Sequence, residues 1–385
     1  MLKELAARCR RELVESVIPF WLEHSLDREY GGYFSCLDRD GTVYDTKKYI
    51  WLQAREVWMF ARLYNTFERK QEYLDAAELG ITFIRDHALD EKGRTYFSLT
   101  REGQPYFYQR KPYGAVFYAL ALLEFSKTTG DAPLRREAVE MFDRIAAWIA
   151  DPTLMDRPKF AGQRPTSALA GVMVLAALAY EFAEVDDDPR WREVMRDVCR
   201  DVRMHYDPER RILVENVCPD GTDLTDWPEG RMFSPGHSVE TAWFILQLLE
   251  HAPDDAVEKL ALDAIDGSLE LGWDKEFGGL YNFMDIEGKP TLQLEGSMKL
   301  WWPQTEAIYG LLLAYAKTKD NRWLDWLERV DRYAFEHFAD GEFGGWFGYC
   351  DRRGDLTHTS KGGNYKGFFH IPRFLLMSVQ LLEKI

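Results

Sequence analysis

Two histidines stand where a side chain could exchange a proton with a bound molecule. His237 lies in residues 234–240, just ahead of an apolar helical stretch, and His370 lies in residues 368–373, in the first turn of another. An imidazole titrates near neutrality, so two of them facing one carbon could remove a proton from one side and return one to the other. The pair predicts inversion at an acidic C–H, such as one α to a carbonyl.

Charged residues that interrupt apolar helical stretches could support this reaction. Arg55 and Arg373 could stabilise the oxygens of an enediolate, and Glu306 lies within the apolar segment 305–315, where an unpaired carboxylate is costly. Glu240 and Glu306 also leave a second chemistry open, because glycoside hydrolysis requires two carboxylates. The cations and histidines among the candidates favour proton transfer.

Further polar and aromatic residues near the beginnings of the predicted apolar helices are expected to bind the substrate. Aromatic side chains suit a sugar, whose ring presents apolar faces that stack on them. These candidates are Lys111, Tyr113, Arg164, Glu240, Trp301, Trp302 and Gln304.

Several of these residues also have a structural interpretation. His237 could cap a helix through its backbone, and His370 could be a hydrogen-bonded core histidine. Glu306 could belong to a ring of ion pairs with Arg55 or Arg373. The residue types leave both interpretations open, so a site requires a fold that brings the residues together.

A short acidic signal recurs along the chain and indicates internal repeats. Residues 27–32, 274–279 and 340–345 share the pattern Asp-x-Glu-aromatic-Gly-Gly, with weaker signals at Asp90 and Asp207 and a break near Asp151. Neighbouring signals are separated by roughly 60 to 67 residues, apart from one double gap, so the chain is predicted to hold about six units.

Each unit is predicted to hold two helices, and most units also a β-hairpin. Hairpins with Asp-Gly, Glu-Gly or Arg-Gly turns are expected over residues 31–45, 94–108, 278–290 and 344–358, and a loop over residues 151–164. The amphipathic helices are predicted over 5–24, 71–87, 133–149, 188–205, 255–271 and 322–337. The more apolar helices are predicted over 49–64, 113–125, 165–182, 238–249, 303–315 and 371–382.

Six such helix pairs predict an all-α toroid, in which apolar helices form an inner barrel and amphipathic helices surround it. An open solenoid is the alternative, but it requires polar capping units, and the last helix is as apolar as its counterparts. We therefore expect a single closed domain over residues 1–385. The hairpin-to-apolar-helix connections would lie at one end of it and bring the candidates into one mouth, together with Lys48, Trp51 and Lys366.

Composition excludes several classes of partner. The net charge of −16 argues against nucleic acid or an anionic membrane, and the longest apolar run, 168–180, is too short to span a bilayer. The five cysteines form no CxxC pair and fit a reduced cytoplasmic protein, as does the charged amphipathic N-terminus. Residues 361–367 lack the spacing of a nucleotide-binding loop, and no metal-ligand spacing is evident.

Five segments resemble motifs of the N-acylglucosamine 2-epimerases: residues 48–55, 110–113, 234–243, 299–306 and 361–373. The resemblance implies an (α/α)6 barrel and interconversion of N-acetylglucosamine and N-acetylmannosamine by deprotonation and reprotonation at C2. It places the acid/base pair on His237 and His370 and supporting roles on Arg55, Glu306 and Arg373. Glu240 matches by analogy with the related cellobiose 2-epimerases.

The same resemblance implies no required cofactor, ATP as an allosteric activator that is not consumed, and a homodimer. Two departures from the family pattern, at Gln304 and over residues 157–167, leave other substrates open. These are mannose or another free aldose, and aldose–ketose isomerisation through the same enediolate. A non-catalytic binding protein is a further alternative.

Overall fold

Helices occupy most of the chain, in the alternation that the repeats predict. The structure is a computed structural model that describes residues 1–385. Its helices are α1 (Leu2–Glu12), α2 (Ile18–His24), α3 (Ile50–Thr66), α4 (Gln71–His87), α5 (Tyr113–Thr129), α6 (Ala132–Ala150), α7 (Leu169–Ala183), α8 (Pro189–His205), α9 (Pro235–Leu248), α10 (Asp255–Gly272), α11 (Trp301–Thr318), α12 (Arg322–Phe338) and α13 (His370–Leu382).

The strands are short and all antiparallel. They are β1 (Cys36–Leu37), β2 (Val43–Asp45), β3 (Lys48–Tyr49), β4 (Ser98–Leu99), β5 (Pro105–Phe107), β6 (Ser167–Ala168), β7 (Tyr206–Asp207), β8 (Ile212–Leu213), β9 (Asn216–Val217), β10 (Met232–Phe233), β11 (Met284–Asp285), β12 (Lys299–Leu300) and β13 (Tyr349–Cys350). None of the helices combines the length and apolar character needed to cross a membrane.

The predicted helices are confirmed, with bounds that differ by a few residues. The first is interrupted by a π-helical turn, Leu13–Val17, just before Pro19, which cannot donate a helical hydrogen bond. The third apolar helix begins only at Leu169, because the residues before it form β6. The fourth begins earlier than predicted, at Pro235, which suits a first helical turn.

The chain groups into two compact units. The first comprises Met1–Ala161, Asp340–Gly348 and Thr359–Val379, and the second comprises Gly162–Ala339, Tyr349–His358 and Gln380–Ile385. Within the first unit α3 packs on α4 and α5, and α5 packs on α6. Within the second unit α9 packs on α7, α10 and α11, while α8 packs on α7 and α12 on α11. The single domain over residues 1–385 stays a prediction.

Two of the four predicted hairpins are confirmed and two are wrong in their pairing. Residues 31–45 form β1–β2 and residues 94–108 form β4–β5. By contrast β11 pairs with β10, and β13 pairs with β12, so each partner is the short strand that precedes an apolar helix. In residues 344–358 the turn remains, with a single bridge from Cys350 to Leu356. The pattern within one sequence repeat could not indicate a partner strand that belongs to the repeat before it.

The aspartate of each strong acidic signal is buried and binds two cations. The three sets are Asp27 with Lys48 and Arg101, Asp274 with Lys299 and Arg352, and Asp340 with Lys361 and Arg39. In the second set, Lys299 Nζ and Arg352 Nε each lie 2.9 Å from Asp274 Oδ2, and Lys299 also donates to the carbonyl of Gly278. Gly278 and Gly279 have φ of +76° and +74°, which explains the paired glycines of the signal.

These aspartates predict acid lability. Burial opposes ionisation of Asp27, but hydrogen bonds from Arg101 and Lys48 outweigh it and lower the pKa from 3.8 to about 2. The pKa values of Asp274 and Asp340 also lie well below the ordinary value, because their partners outweigh burial in the same way.

A carboxyl with a depressed folded-state pKa stabilises the protein above its unfolded-state pKa, and this contribution is lost as the pH falls. We therefore expect the midpoint of urea unfolding to fall steeply from about pH 4 towards pH 2. A midpoint that stays constant over this interval would contradict the ion-pair assignment.

Candidate functional site

The spacing of polar residues along the apolar helices indicates which way they face. Gln53 lies five residues after Lys48, and Gln304 lies five residues after Lys299. Each glutamine hydrogen-bonds the backbone of the residue that follows its glycine pair. Two further residues along a helix correspond to a rotation of about 200°, so Arg55 and Glu306 face away from that contact. Ser238 accepts a hydrogen bond from the Leu213 amide at 3.0 Å, so the same reasoning applies two residues later, at Glu240.

His237 is held at the start of α9 by a carboxylate and an aromatic ring. Its Nδ1 lies 2.9 Å from Oε1 of Glu215, and the centroid of its ring lies 4.9 Å from that of Trp302. The side chain is 27% exposed, so part of the imidazole is accessible. Burial opposes protonation, but Glu215, with a smaller contribution from Glu240, more than offsets it and raises the pKa of His237.

Gly236 allows Trp302 to rest against this end of α9. A Cβ at this position would lie 2.5 Å from Trp302 Cζ3 and 3.0 Å from Pro303 Cβ. We expect Gly236→Ala to displace Trp302 from the His237 ring, lowering kcat roughly 10-fold and stability by about 1–3 kcal/mol. The control is Gly341→Ala, where nothing lies within 4 Å of an added Cβ. Equal kinetics for the two variants would exclude a role for this contact.

Glu306 and Glu240 are buried carboxylates on neighbouring helices of the second unit. Glu306 on α11 is 1% exposed, and its Oε2 accepts a hydrogen bond of 3.1 Å from the indole of Trp243 on α9. Glu240 on α9 is 6% exposed. Burying a carboxylate is expensive, so its presence on an apolar helix is typical of a functional group or of a charged network.

Arg55 lies among three aromatic rings of the first unit. Its Cζ is 4.0 Å from the ring centroid of Phe117, 4.4 Å from Trp51 and 4.6 Å from Phe369. Contacts with ring faces orient a planar guanidinium, whose N–H groups donate within its own plane. Aromatic faces therefore contribute to holding Arg55 in place.

His370 and Arg373 lie in the first turn of α13, also in the first unit. Arg373 Nη2 lies 3.4 Å from Nδ1 of His370, and its Cζ lies 4.6 Å from the ring centroid of Phe369. Arg55 and Arg373 thus contact the same phenylalanine. Because the guanidinium can only donate, its contact with Nδ1 favours the His370 tautomer that carries its proton on Nε2.

The remaining candidates differ in their settings. Trp301 is buried edge-on against Tyr349, with ring centroids 5.2 Å apart, whereas Trp302 is half-buried. Tyr113 is half-buried at the start of α5, and Lys111 is exposed just before it. Arg164 lies on the loop before β6 and makes two hydrogen bonds of 2.7 Å with Asp226.

Three polar candidates use their side chains for hydrogen bonds or ion pairs within the protein. Both N–H groups of the Gln304 amide donate to backbone carbonyls, those of Leu280 and Leu300. Lys48 binds Asp27, and the buried Lys366 donates to the carbonyl of Trp346, with burial lowering its pKa well below the ordinary value. The expectation that the two lysines serve the mouth is therefore wrong. Substrate binding by Gln304 stays a prediction, which its geometry does not favour.

Glu215 and Phe117 were not among the predicted residues. Glu215 follows the buried strand β8 and is itself buried, so the criterion that singled out Glu306, a carboxylate in an apolar stretch, also applies to it. Phe117 lies in an apolar helix among other aromatic residues and carries no distinguishing signal.

Known structures define the class of fold. The chain superposes on cellobiose 2-epimerase from Bacillus thermoamylovorans with a TM-score of 0.84, at 20% identity and with 100% of both chains covered. A D-mannose isomerase gives a TM-score of 0.83 at 19% identity, with 97% of each chain covered. These similarities confirm the predicted all-α (α/α)6 barrel with short strands.

Sequence comparison defines the family. The sequence model of the N-acylglucosamine 2-epimerase family matches residues 32–373. N-acylglucosamine 2-epimerase from Rattus norvegicus is 41% identical over 380 residues, which cover 96% of this chain and 90% of the rat protein. The chain belongs to the N-acylglucosamine 2-epimerase family. It is a sugar 2-epimerase, an isomerase that acts on carbohydrates.

Proposed function

We propose that the chain interconverts N-acetyl-D-glucosamine and N-acetyl-D-mannosamine. The observation that carries this proposal is the 41% identity, over nearly the whole of both chains, to a protein named N-acylglucosamine 2-epimerase. The two sugars differ only in the configuration at C2, which lies next to the carbonyl carbon of the open-chain form. Removal of the C2 proton gives a planar enediolate, and return of a proton to the opposite face gives the epimer.

We assign the two proton transfers to His237 and His370. The carboxylate of Glu215 accepts a hydrogen bond from Nδ1–H of His237, which leaves the Nε2 lone pair as a base. Arg373 contacts Nδ1 of His370, which leaves Nε2 as the nitrogen that exchanges a proton with the substrate. As the acid, His370 begins as the imidazolium and becomes neutral when it delivers its Nε2 proton, while His237 begins neutral and becomes the imidazolium; in the reverse direction the two histidines exchange these roles.

The guanidinium groups are assigned to the oxygens of the enediolate. Arg55 is held by aromatic faces, so it requires little reorganisation when negative charge develops on the substrate. Arg373 contributes a second guanidinium beside His370. Glu306 and Glu240 are assigned to the sugar hydroxyls, because a buried carboxylate accepts strong hydrogen bonds from them.

Further substrate contacts are assigned to Trp301, Trp302, Tyr113, Lys111 and Arg164. Trp302 is the best supported, because its half-buried ring already packs on the ring of His237 and offers a face to a sugar. Arg164 would have to share its guanidinium with Asp226.

We also propose a cytoplasmic homodimer that requires no cofactor and responds to ATP as an allosteric activator. The cytoplasmic location is supported by the five cysteines, all of which are buried and none of which lies in a disulfide. Light scattering tests the dimer, and rates with and without ATP test the activation.

Incubation with N-acetylmannosamine, N-acetylglucosamine, mannose and cellobiose in D2O, followed by proton NMR, tests the substrate. We expect loss of the C2 proton signal and appearance of the epimer with the two N-acetyl sugars. Exchange with mannose alone, accompanied by a ketose, would replace the proposal with aldose–ketose isomerisation through the same enediolate. Exchange with none of the four would favour a binding protein.

A further inference from the structure

We infer that Glu215 is a positioning residue, which fixes the orientation and tautomer of His237 for proton transfer. This inference rests on the proposed function, because it assigns a role to Glu215 only through the base that Glu215 holds. Nδ1 of His237 lies 2.9 Å from the Glu215 carboxylate and donates a hydrogen bond to it.

Glu215 is itself firmly placed between β8 and β9. Its backbone N–H donates to the carbonyl of Met232 at 3.0 Å, and its carbonyl accepts from the amide of Leu169 at 2.8 Å. These bonds tie the residue to the first residue of α7 and to β10, which lies just before α9. Its side chain is only 9% exposed, so water competes little for the carboxylate. A rigid and partly desolvated carboxylate is suited to orienting an imidazole.

The position of His237 explains why a charged partner is required. The residue is the third of α9, where the positive end of the helix dipole disfavours an imidazolium. Accepting the C2 proton nevertheless produces that imidazolium. The charged groups that act on the ring within this unit are Glu215 and Glu240, while Trp302 and Phe283 pack against it as neutral rings. Glu215 is the one in direct contact, so it offsets the dipole most strongly.

Glu215→Gln tests the charge, because glutamine keeps the size of the side chain and leaves the backbone bonds intact. We expect kcat to fall by about 10- to 100-fold and KM to change by less than about 3-fold, because the substitution affects the base and leaves the sugar contacts in place. Glu215→Asp, which retains the charge on a shorter side chain, should recover part of the loss. Glu209→Gln is the control, since the Glu209 side chain is exposed and lies in the turn between β7 and β8.

A second readout does not depend on activity. The His237 resonance, assigned by its absence in His237→Asn, should titrate at lower pH in Glu215→Gln than in the wild-type protein, since a carboxylate that favours the cation has been removed. The low-pH limb of the kcat/KM profile should move in the same direction.

An unchanged kcat together with an unchanged His237 titration would overturn the inference. A uniform loss of stability and activity without any shift in the titration would also overturn it, because that is the behaviour of a purely structural residue. If the wild-type protein exchanges no C2 proton while the titration still shifts, the pairing of Glu215 with His237 stands and the proposed reaction fails.

Discussion

Replacing His370 with asparagine is expected to reduce both epimerisation and C2 proton exchange by about 10²- to 10⁴-fold, the usual contribution of a general acid or base. Asparagine retains hydrogen-bonding capacity but cannot exchange a proton near neutral pH. His370 begins α13 and lies 8% exposed, so the substitution changes little packing volume. Circular dichroism and the melting temperature should therefore remain close to wild type, while deuterium incorporation by NMR falls.

His251→Asn is the matched control for this experiment. His251 lies beyond the end of α9, with Nε2 2.9 Å from Glu184, and no role in the reaction is assigned to it. We expect its activity to be unchanged. Equal deuterium incorporation in His370→Asn and His251→Asn would remove His370 from the mechanism. Because two residues that act as a unit are not additive, His237→Asn combined with His370→Asn should lose little more than either alone.

The largest effect on stability is expected from Asp274→Asn. Lys299 is completely buried, and removal of its partner's charge leaves an ammonium group without compensation in the interior. Breaking a buried ion pair in this way costs about 3–5 kcal/mol. Arg352 loses a partner at the same time but retains Glu276 at 3.1 Å. Urea unfolding measures the change, with a lower midpoint as the expected result.

Glu276→Gln isolates the contribution of burial. Glu276 binds the same arginine but is 64% exposed, so we expect a loss of less than about 1 kcal/mol. If Asp274→Asn were no less stable than Glu276→Gln, the buried pair of Asp274 and Lys299 would not be what stabilises the turn at Gly278 and Gly279. Asp27→Asn and Asp340→Asn should likewise destabilise the protein more than Glu276→Gln does, because both aspartates bind a buried lysine.

The helices were predictable because each carries a strong local signal. Apolar periodicity set their number, and the Asp-x-Glu-aromatic-Gly-Gly signal set the spacing of the units. The strand pairing was not predictable in the same way. A two-residue strand such as β12 has no pattern of its own, and it pairs with β13, which lies in the next sequence repeat. Only the three-dimensional arrangement identifies that partner.

The candidates for the site were chosen where residue type conflicts with its surroundings. Arg55 and Glu306 became candidates because charges are rare on apolar helices, and His370 because it begins one. Residue type alone did not show that Lys48 and Gln304 bond the backbone near the glycine pair, because the sequence did not indicate that this turn requires polar partners. The convergence of the candidates on one mouth stays a prediction.

The most direct test of the two-histidine account begins with protiated N-acetylmannosamine in D2O, under initial-rate conditions. If one histidine removes the C2 proton and the other delivers a proton from solvent, the N-acetylglucosamine formed should carry deuterium at C2 in nearly every molecule. The remaining substrate should carry almost none. Product that retains the original proton at C2 would show that a single group moves it between the two faces, and would contradict the assignment of His237 and His370 as a pair.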